Sequence, residues 1–162
     1  MTARARALVL AGLVAAGCAV ASPLPRGYLA DASDLVATIE AEQAAVVRAA
    51  GEVLSEWGFT VADADAGRGV VQTAELEVED SWRGAALREY VYCGAAAGTG
   101  VEQTTSHPTR ISVRMAMRQQ DLGATLLRIA VTGSVWAEGE THACRPTARM
   151  ARELIAGIRA AQ

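Results

Sequence analysis

Lysine and asparagine are absent from this chain of 162 residues, and phenylalanine occurs once. All 15 basic side chains are therefore arginine. The double absence suggests a GC-rich genome and carries no information about function. No basic tract is present, and 18 Asp plus Glu bring the formal net charge to −3. That balance excludes the usual nucleic-acid binder, which needs clustered positive charge. The motifs of common catalysts are missing too. There is no Gly-x-Ser-x-Gly, no glycine-rich phosphate loop before a helix, no His-Glu-x-x-His and no Cys-x-x-Cys-His. His107 and His142 are the only histidines. Ser106 adjoins His107 in sequence, the wrong relation for a hydroxyl activated across space. The chain is therefore expected not to be an enzyme and to use no metal or cofactor. No apolar run reaches the ~20 residues needed to cross a bilayer as a helix.

What is present begins at the amino terminus. Arg4 and Arg6 make a short basic start, Ala7 to Ala16 is an unbroken run of ten apolar or small residues, and Gly17 leads into Cys18. This is the layout of a secretory signal. Its end resembles the lipobox of bacterial lipoproteins, although Ala15 stands where Leu is usual and Leu13 lies two residues further back. The resemblance covers residues 1–18 and implies that 1–17 are removed and that Cys18 carries acyl chains. The residue after it is Ala19 rather than Asp, which under the enterobacterial sorting rule implies the outer membrane, facing the periplasm. An ordinary cleaved signal, cut after Ala21 or Ser22, is the alternative. Residues 18–32 contain Pro23, Pro25 and Gly27 and no periodicity, and they read as the lipidated cysteine and its tether. Residues 33–162 read as one domain. Beyond the signal, 13 Arg stand against 18 acids, a formal net charge of −5.

With Cys18 assigned to lipid, Cys93 and Cys144 remain in an exported chain. A disulfide is the simplest pairing. Closing a loop of about 50 residues would stabilise the fold by roughly 4 kcal/mol in the chain-entropy model. Two unlinked thiols, or a metal site completed by His107 and His142, are the alternatives. The spacing fits no zinc pattern.

Hydrophobic period places the elements. Val36, Ile39, Gln43, Val46, Val47, Ala50, Val53, Leu54 and Trp57 form one stripe, which predicts a helix over 33–57 with Asp31 or Ser33 as N-cap and Gly58 at its C-terminal stop. Gln43 is the fault in that stripe. Phe59 and Val61 open a short strand. Asp63 to Gly69 is turn chemistry. Val70 to Glu79 reads as a second strand, with Val70, Ala74, Leu76 and Val78 on its apolar face and Gln72 interrupting it. Leu87 to Cys93 reads as a third, with Tyr90 and Tyr92 outward. Gly94 to Pro108 reads as a loop long enough to be functional. Arg110 to Arg118 is the clearest strand, with Ile111, Val113, Met115 and Met117 inward. Leu127, Ile129, Val131 and Val135 line a fifth, forming a hairpin with it. Pro146 is placed at the first position of a final helix buried through Met150, Leu154, Ile155 and Ile158.

The expected fold is α+β: a two-layer sandwich in which an antiparallel sheet of about five strands carries two helices on one face, in the order α-β-β-β-β-β-α. The run of helix, Trp57-Gly58-Phe59 strand, acidic turn and second strand resembles small envelope lipoproteins such as the domains of BamC. Tyr90-Val91-Tyr92-Cys93-Gly94 with the later Cys144 is similar to a design recurring among uncharacterised bacterial lipoproteins. Neither likeness implies an activity.

Candidate sites come from the outward residues. Asp63 and Asp65 invite a calcium reading, but an EF-hand loop from Asp63 would need Gly and Glu where Arg68 and Ala74 stand. Glu75, Glu77 and Glu79 on one strand face, about 7 Å apart, could hold a cation or neutralise neighbouring arginines. Tyr90, Tyr92, Arg110, Arg114, Arg118, Arg128 and Trp136 make the expected partner-binding face, because exposed aromatics beside arginine are enriched where proteins meet. Trp82 reads as a loop anchor at the core edge. The expected role is that of a membrane-anchored, non-catalytic envelope protein that binds another envelope component. The alternatives are carriage of a small apolar ligand between sheet and helices, with room left by the alanines of the first helix, and a hydrolase with dispersed residues. A cavity between the layers would favour the first alternative. A histidine in a cleft beside a carboxylate and a hydroxyl would favour the second.

Overall fold

The computed structural model describes residues 35–93, 107–137 and 139–162. Its order is β1 (Val36–Ile39), α1 (Gln43–Glu56), β2 (Val61–Asp65), β3 (Val70–Thr73), β4 (Leu76–Val78), β5 (Ser81–Trp82), β6 (Ala85–Ala86), β7 (Val91–Tyr92), β8 (Thr109–Gln119), β9 (Thr125–Ala137), β10 (Glu140–Pro146) and α2 (Ala148–Ala160). The chain is a mixed α+β protein with a large antiparallel sheet and two helices.

Strict alternation builds the centre. β8 and β9 pair without interruption from Thr109↔Val135 to Gln119↔Thr125. Successive side chains leave a strand on opposite faces. Ile111, Val113, Met115, Leu127 and Ile129 are therefore buried together, while Arg110, Arg114 and Arg128 are exposed on the reverse. Short strands flank this hairpin at both ends of both edges. β3 and β4 share the free edge of β8, and β1 and β10 share that of β9. With β2 beyond β3 and β7 beyond β10, the sheet has eight strands rather than about five. β5 and β6 form a separate two-stranded hairpin.

The additional strands have physical causes. Val36-Ala37-Thr38-Ile39 satisfies a helical spacing and a strand propensity alike, and pairing with Arg128 to Thr125 decides for the strand. The helix consequently starts at Gln43, not near Ser33. The expected caps Asp31 and Ser33 lie outside the described residues. The single strand expected over 70–79 breaks at Ala74–Glu75 and changes phase there. Val71 and Thr73 are buried before the break and Val78 after it, so Gln72 points outward and interrupts nothing. β10 reads Glu-Thr-His-Ala-Cys-Arg-Pro and shows no apolar face; its edge position on β9 makes it a strand. Pro146 ends that strand instead of opening α2. Thr147 is the N-cap, its hydroxyl accepting the Met150 N–H at 3.4 Å.

The core is one cluster. From the sheet come Ile39, Val71, Ile111, Val113, Met115, Met117, Leu127 and Ile129; from α1 Val46, Val47, Ala50, Val53 and Leu54; from α2 Met150, Leu154 and Ile158. Ile155 is half-buried at its margin. α1 ends as its sequence predicts. Gly58 takes φ +91°, its N–H reaches Ser55 O, and the Phe59 N–H reaches Leu54 O, both at 3.0 Å. This is a Schellman stop.

Gln43 proves to be a clamp. Its backbone N–H donates to Gln119 Oε1 at 2.7 Å, and its own Oε1 accepts the Gln119 N–H at 2.9 Å. Its Nε2 donates to Ala66 O at 2.8 Å. One polar side chain thus joins the start of α1, the β2–β3 turn and the end of β8. Gly69 makes the close approach possible. It has φ +63°, and a Cβ there would lie 2.2 Å from Met117 O and 2.9 Å from Gln43 Cδ. Gly69→Ala is expected to cost roughly 2–4 kcal/mol through both the clash and the left-handed backbone. Urea unfolding should show the loss as a lower midpoint, and an unchanged midpoint would rule the clamp out as a structural joint.

Candidate functional site

The solvent face of the sheet presents the alternate set of residues. Arg110, Arg114, Arg118 and Arg128 are exposed, and Trp136 is 64% exposed. At the centre of the face, Ser112 and Thr132 lie directly opposite each other and their hydroxyls meet at 2.7 Å.

The face has two different ends. At one, Glu77, His107, Pro108, Arg110, Ser134, Trp136 and Thr141 line a groove of about 460 Å³. Arg110 Nε donates to Glu77 Oε2 at 3.3 Å, across the register that sets Glu77 opposite Arg110. Both groups are largely exposed, so this pair contributes little stability. The indole of Trp136 rises beside it on β9, opposite Thr141 of β10. At the other end, Leu35, Val36, Ala116 and Ala130 make an apolar floor between Arg114 and Arg128. Arg118 lies on the same face, paired in register with Leu126. Among the described residues, Arg114, Arg118 and Arg128 make no ion pair.

Tyr90 and Tyr92 do not belong to this face, contrary to the expectation from alternation. Their relative exposures are 1% and 9%. Leu87–Glu89 forms a turn of 3₁₀ helix, which leaves only Val91–Tyr92 as strand and shifts the phase of the residues after it. Tyr90 instead joins Trp57, Phe59 and Trp82 in an edge-to-face cluster with ring centroids 5.3–6.1 Å apart. Trp82 anchors the β5–β6 hairpin there, its Nε1 donating to Trp57 O at 3.2 Å. Arg83 lies over the Trp57 ring at 4.1 Å and Arg149 over the Tyr90 ring at 4.9 Å. Arg149 also pairs with Glu89 and Glu153, and the Glu153 hydrogen bond is the main cause that raises its pKa further.

The acidic candidates are engaged by arginine. Arg68 pairs with Asp65 at 2.7 Å and with Asp63 at 2.8 Å, closing the β2–β3 turn. The Arg68 side-chain hydrogen bond holds the Asp65 carboxyl below its ordinary range. Any stability from this exposed pair is complete above that ordinary range and fades as pH falls through the lowered value. Glu77 faces Arg110, and the break at Ala74–Glu75 places Glu75 outside β4. Among the described residues, no group of three His, Cys, Asp or Glu is placed to hold a metal ion.

Cys93 and Cys144 form a disulfide, with S–S 1.99 Å. Both sulfurs are thereby withdrawn from the alternative metal site. The bridge lies with Val135 in a small buried cluster behind the groove. Gly133 is needed there, because a Cβ would lie 3.0 Å from Cys144 Cβ. His142 pairs in register with Val135, and its Nε2 is buried without a hydrogen-bond partner among the described residues. Cys18, the tether and residues 94–106 of the expected loop lie outside the described residues.

No family model matches this chain. No curated protein matches it either. Among solved structures it is similar to a DUF4468 family protein from Bacteroides ovatus, at 13% identity and a TM-score of 0.36. The match covers 73% of this chain and 66% of that one, just under two thirds of the neighbour's length. A likeness this distant carries no inference about activity.

Reduction of the intact mature protein should raise its mass by two protons under denaturing conditions. Equal masses before and after reduction would remove the Cys93–Cys144 bridge.

Proposed function

We propose that this protein is a membrane-anchored, non-catalytic envelope protein. Lipid on Cys18 holds it at the membrane, in the outer-membrane leaflet facing the periplasm, and its solvent-facing sheet docks another envelope protein. The observation that carries the reading is Trp136. Most of the aromatic surface described here is packed in the core, yet this indole is 64% exposed beside Arg110 at a groove. Tryptophan and arginine dominate binding energy at protein interfaces. Neither the packed interior nor the surface supports the apolar-ligand alternative. Side chains from sheet and helices meet in one cluster, and the concavities at Trp136, at Val36 and along α1 all open outward.

A photo-crosslinker at Thr141 of the full chain, used in native membranes, should capture a discrete partner. Trp136→Ala should reduce capture about tenfold, as expected for an interface anchor, with stability changed by less than about 0.5 kcal/mol. Capture that is indifferent to Trp136 would move the interface elsewhere. In the same cells, Cys18→Ser should release the protein into the soluble fraction and abolish labelling by palmitate. Continued retention would refute the anchor.

One observation favours a second reading. His107, Glu77 and Ser134 line the same groove, bringing an imidazole, a carboxylate and a hydroxyl to one rim. The imidazole makes no hydrogen bond to either among the described residues, and Glu77 is held by Arg110. A nucleophile needs its base within hydrogen-bond reach, although this can tighten on binding substrate. Turnover of chromogenic esters that disappears in both His107→Ala and Ser134→Ala would establish a hydrolase. Absence of turnover in the parent protein would count against the hydrolase reading.

A further inference from the structure

We infer that the Arg114–Arg118–Arg128 end of the outer sheet face is a docking surface for the anionic headgroups of the bilayer. The orientation this gives the domain rests on the lipid-anchor reading of Cys18. The affinity for headgroups does not.

Charge is uneven on this face: Asp63 and Asp65 stand beyond Gln72 and Val70 on the same side, but Arg68 engages both. The whole chain is net negative, yet three exposed guanidinium groups share one end of one sheet face without a carboxylate partner among the described residues. Exposed acids such as Glu52 and Glu56 lie on α1, in the opposite layer. Near an anionic plane this arrangement turns the arginine end inward and the helices outward. Attraction of this kind is appreciable for each arginine at a lipid surface and falls off within a Debye length.

The floor between the arginines suits the same occupant. Val36 is 40% exposed, and with Ala116 and Ala130 it forms a shallow apolar strip between Arg114 and Arg128. Arginine can lay its aliphatic stem along such a strip and extend its guanidinium to a phosphate. The concavity over the strip, about 420 Å³, opens to solvent and is lined mainly by apolar side chains.

The described chain begins at this spot. Leu35, the first described residue, lines the patch itself. The 17 residue steps from Cys18 to Leu35 can reach at most about 60 Å when fully extended. An acyl chain at Cys18 therefore keeps these arginines close to the membrane at high effective concentration, and a contact that is weak in solution suffices to orient the domain. Trp136 lies eight residues further along β9 on the same face, about 26 Å from Arg128, so the two ends are separate surfaces.

The test uses the exported full chain carrying Cys18→Ser, so that no acyl group contributes. It is sedimented with vesicles of phosphatidylcholine alone and of phosphatidylcholine with phosphatidylglycerol, at low ionic strength. Binding to the anionic vesicles only, weakened by added salt, is expected. R114Q/R118Q/R128Q should lower it at least about tenfold, while R114K/R118K/R128K should retain most of it. Binding that ignores salt, equal binding to neutral vesicles, or no binding to anionic ones overturns the inference. So does retention on immobilised polyglutamate without vesicle binding, which would indicate an acidic protein partner instead. Should the glutamine variant fail to fold, the salt titration of the parent still decides. Absence of palmitate labelling from the parent chain with Cys18 intact, together with vesicle binding by the Cys18→Ser chain, would refute the anchor alone, and the reverse result would refute this surface alone.

Discussion

The register between β8 and β9 is the constraint on which everything else hangs. Eleven consecutive pairs run from Thr109↔Val135 to Gln119↔Thr125. A slip by one residue would exchange the faces, burying arginines and exposing methionines. Several independent contacts join the two strands to the elements around them. Thr73 Oγ1 accepts the Val113 N–H at 3.0 Å from the neighbouring strand. The Gln43–Gln119 exchange fixes the end of β8 against α1. Gly133 admits Cys144 at a distance where a Cβ would be crowded at 3.0 Å, and Cys144 is in turn bonded to Cys93. Packing fixes the hairpin's faces, and polar clamps and a covalent bridge tie its neighbours to it.

Two chemically distinct ends on one face result from that alignment. The same parity that buries Ile111 and Met115 presents Arg110 with Trp136 at one end and Arg114 with Arg128 at the other. Glu77 attends only the first end, because β4 pairs there and β3 pairs further along. The neighbour of Arg114 on β3 is Gln72, which is neutral. A single break at Ala74–Glu75 thus leaves one end charge-compensated and the other cationic. Proposed protein docking and proposed headgroup docking draw on this one asymmetry.

How much of this the residues announce depends on where the local pattern and the tertiary pairing agree. Along β8 and β9 the apolar alternation is long and unbroken, and strand, face and hairpin are all legible. The Schellman stop at Gly58 and the anchoring of Trp82 are legible for the same local reasons. The disulfide could be read by counting cysteines in a chain whose amino terminus resembles a secretory signal. β1 and β10 were not legible, since a four-residue run with three β-branched residues and a polar heptapeptide become strands only because β9 offers them an edge. Tyr90 and Tyr92 misled because alternation was carried through a 3₁₀ turn that shifts its phase. Gln43 was visible as a discord in an apolar stripe. A polar residue where the pattern wants an apolar one can mark a joint between elements as well as an error. Within the candidate site, the arginines and Trp136 were foreseen, while Val36, Ala116 and the groove around His107 depend on cross-strand neighbours that no local pattern reveals.

The placement of the three tryptophans has an optical consequence. Trp57 and Trp82 are 4% and 8% exposed and stacked edge to face, whereas Trp136 stands in water. Collisional quenchers such as iodide would reach the third indole and spare the other two, so the red-shifted component of the emission reports on the groove alone. The protein carries a native fluorescent label at its proposed contact surface, and any occupant of that end announces itself by shielding this single chromophore.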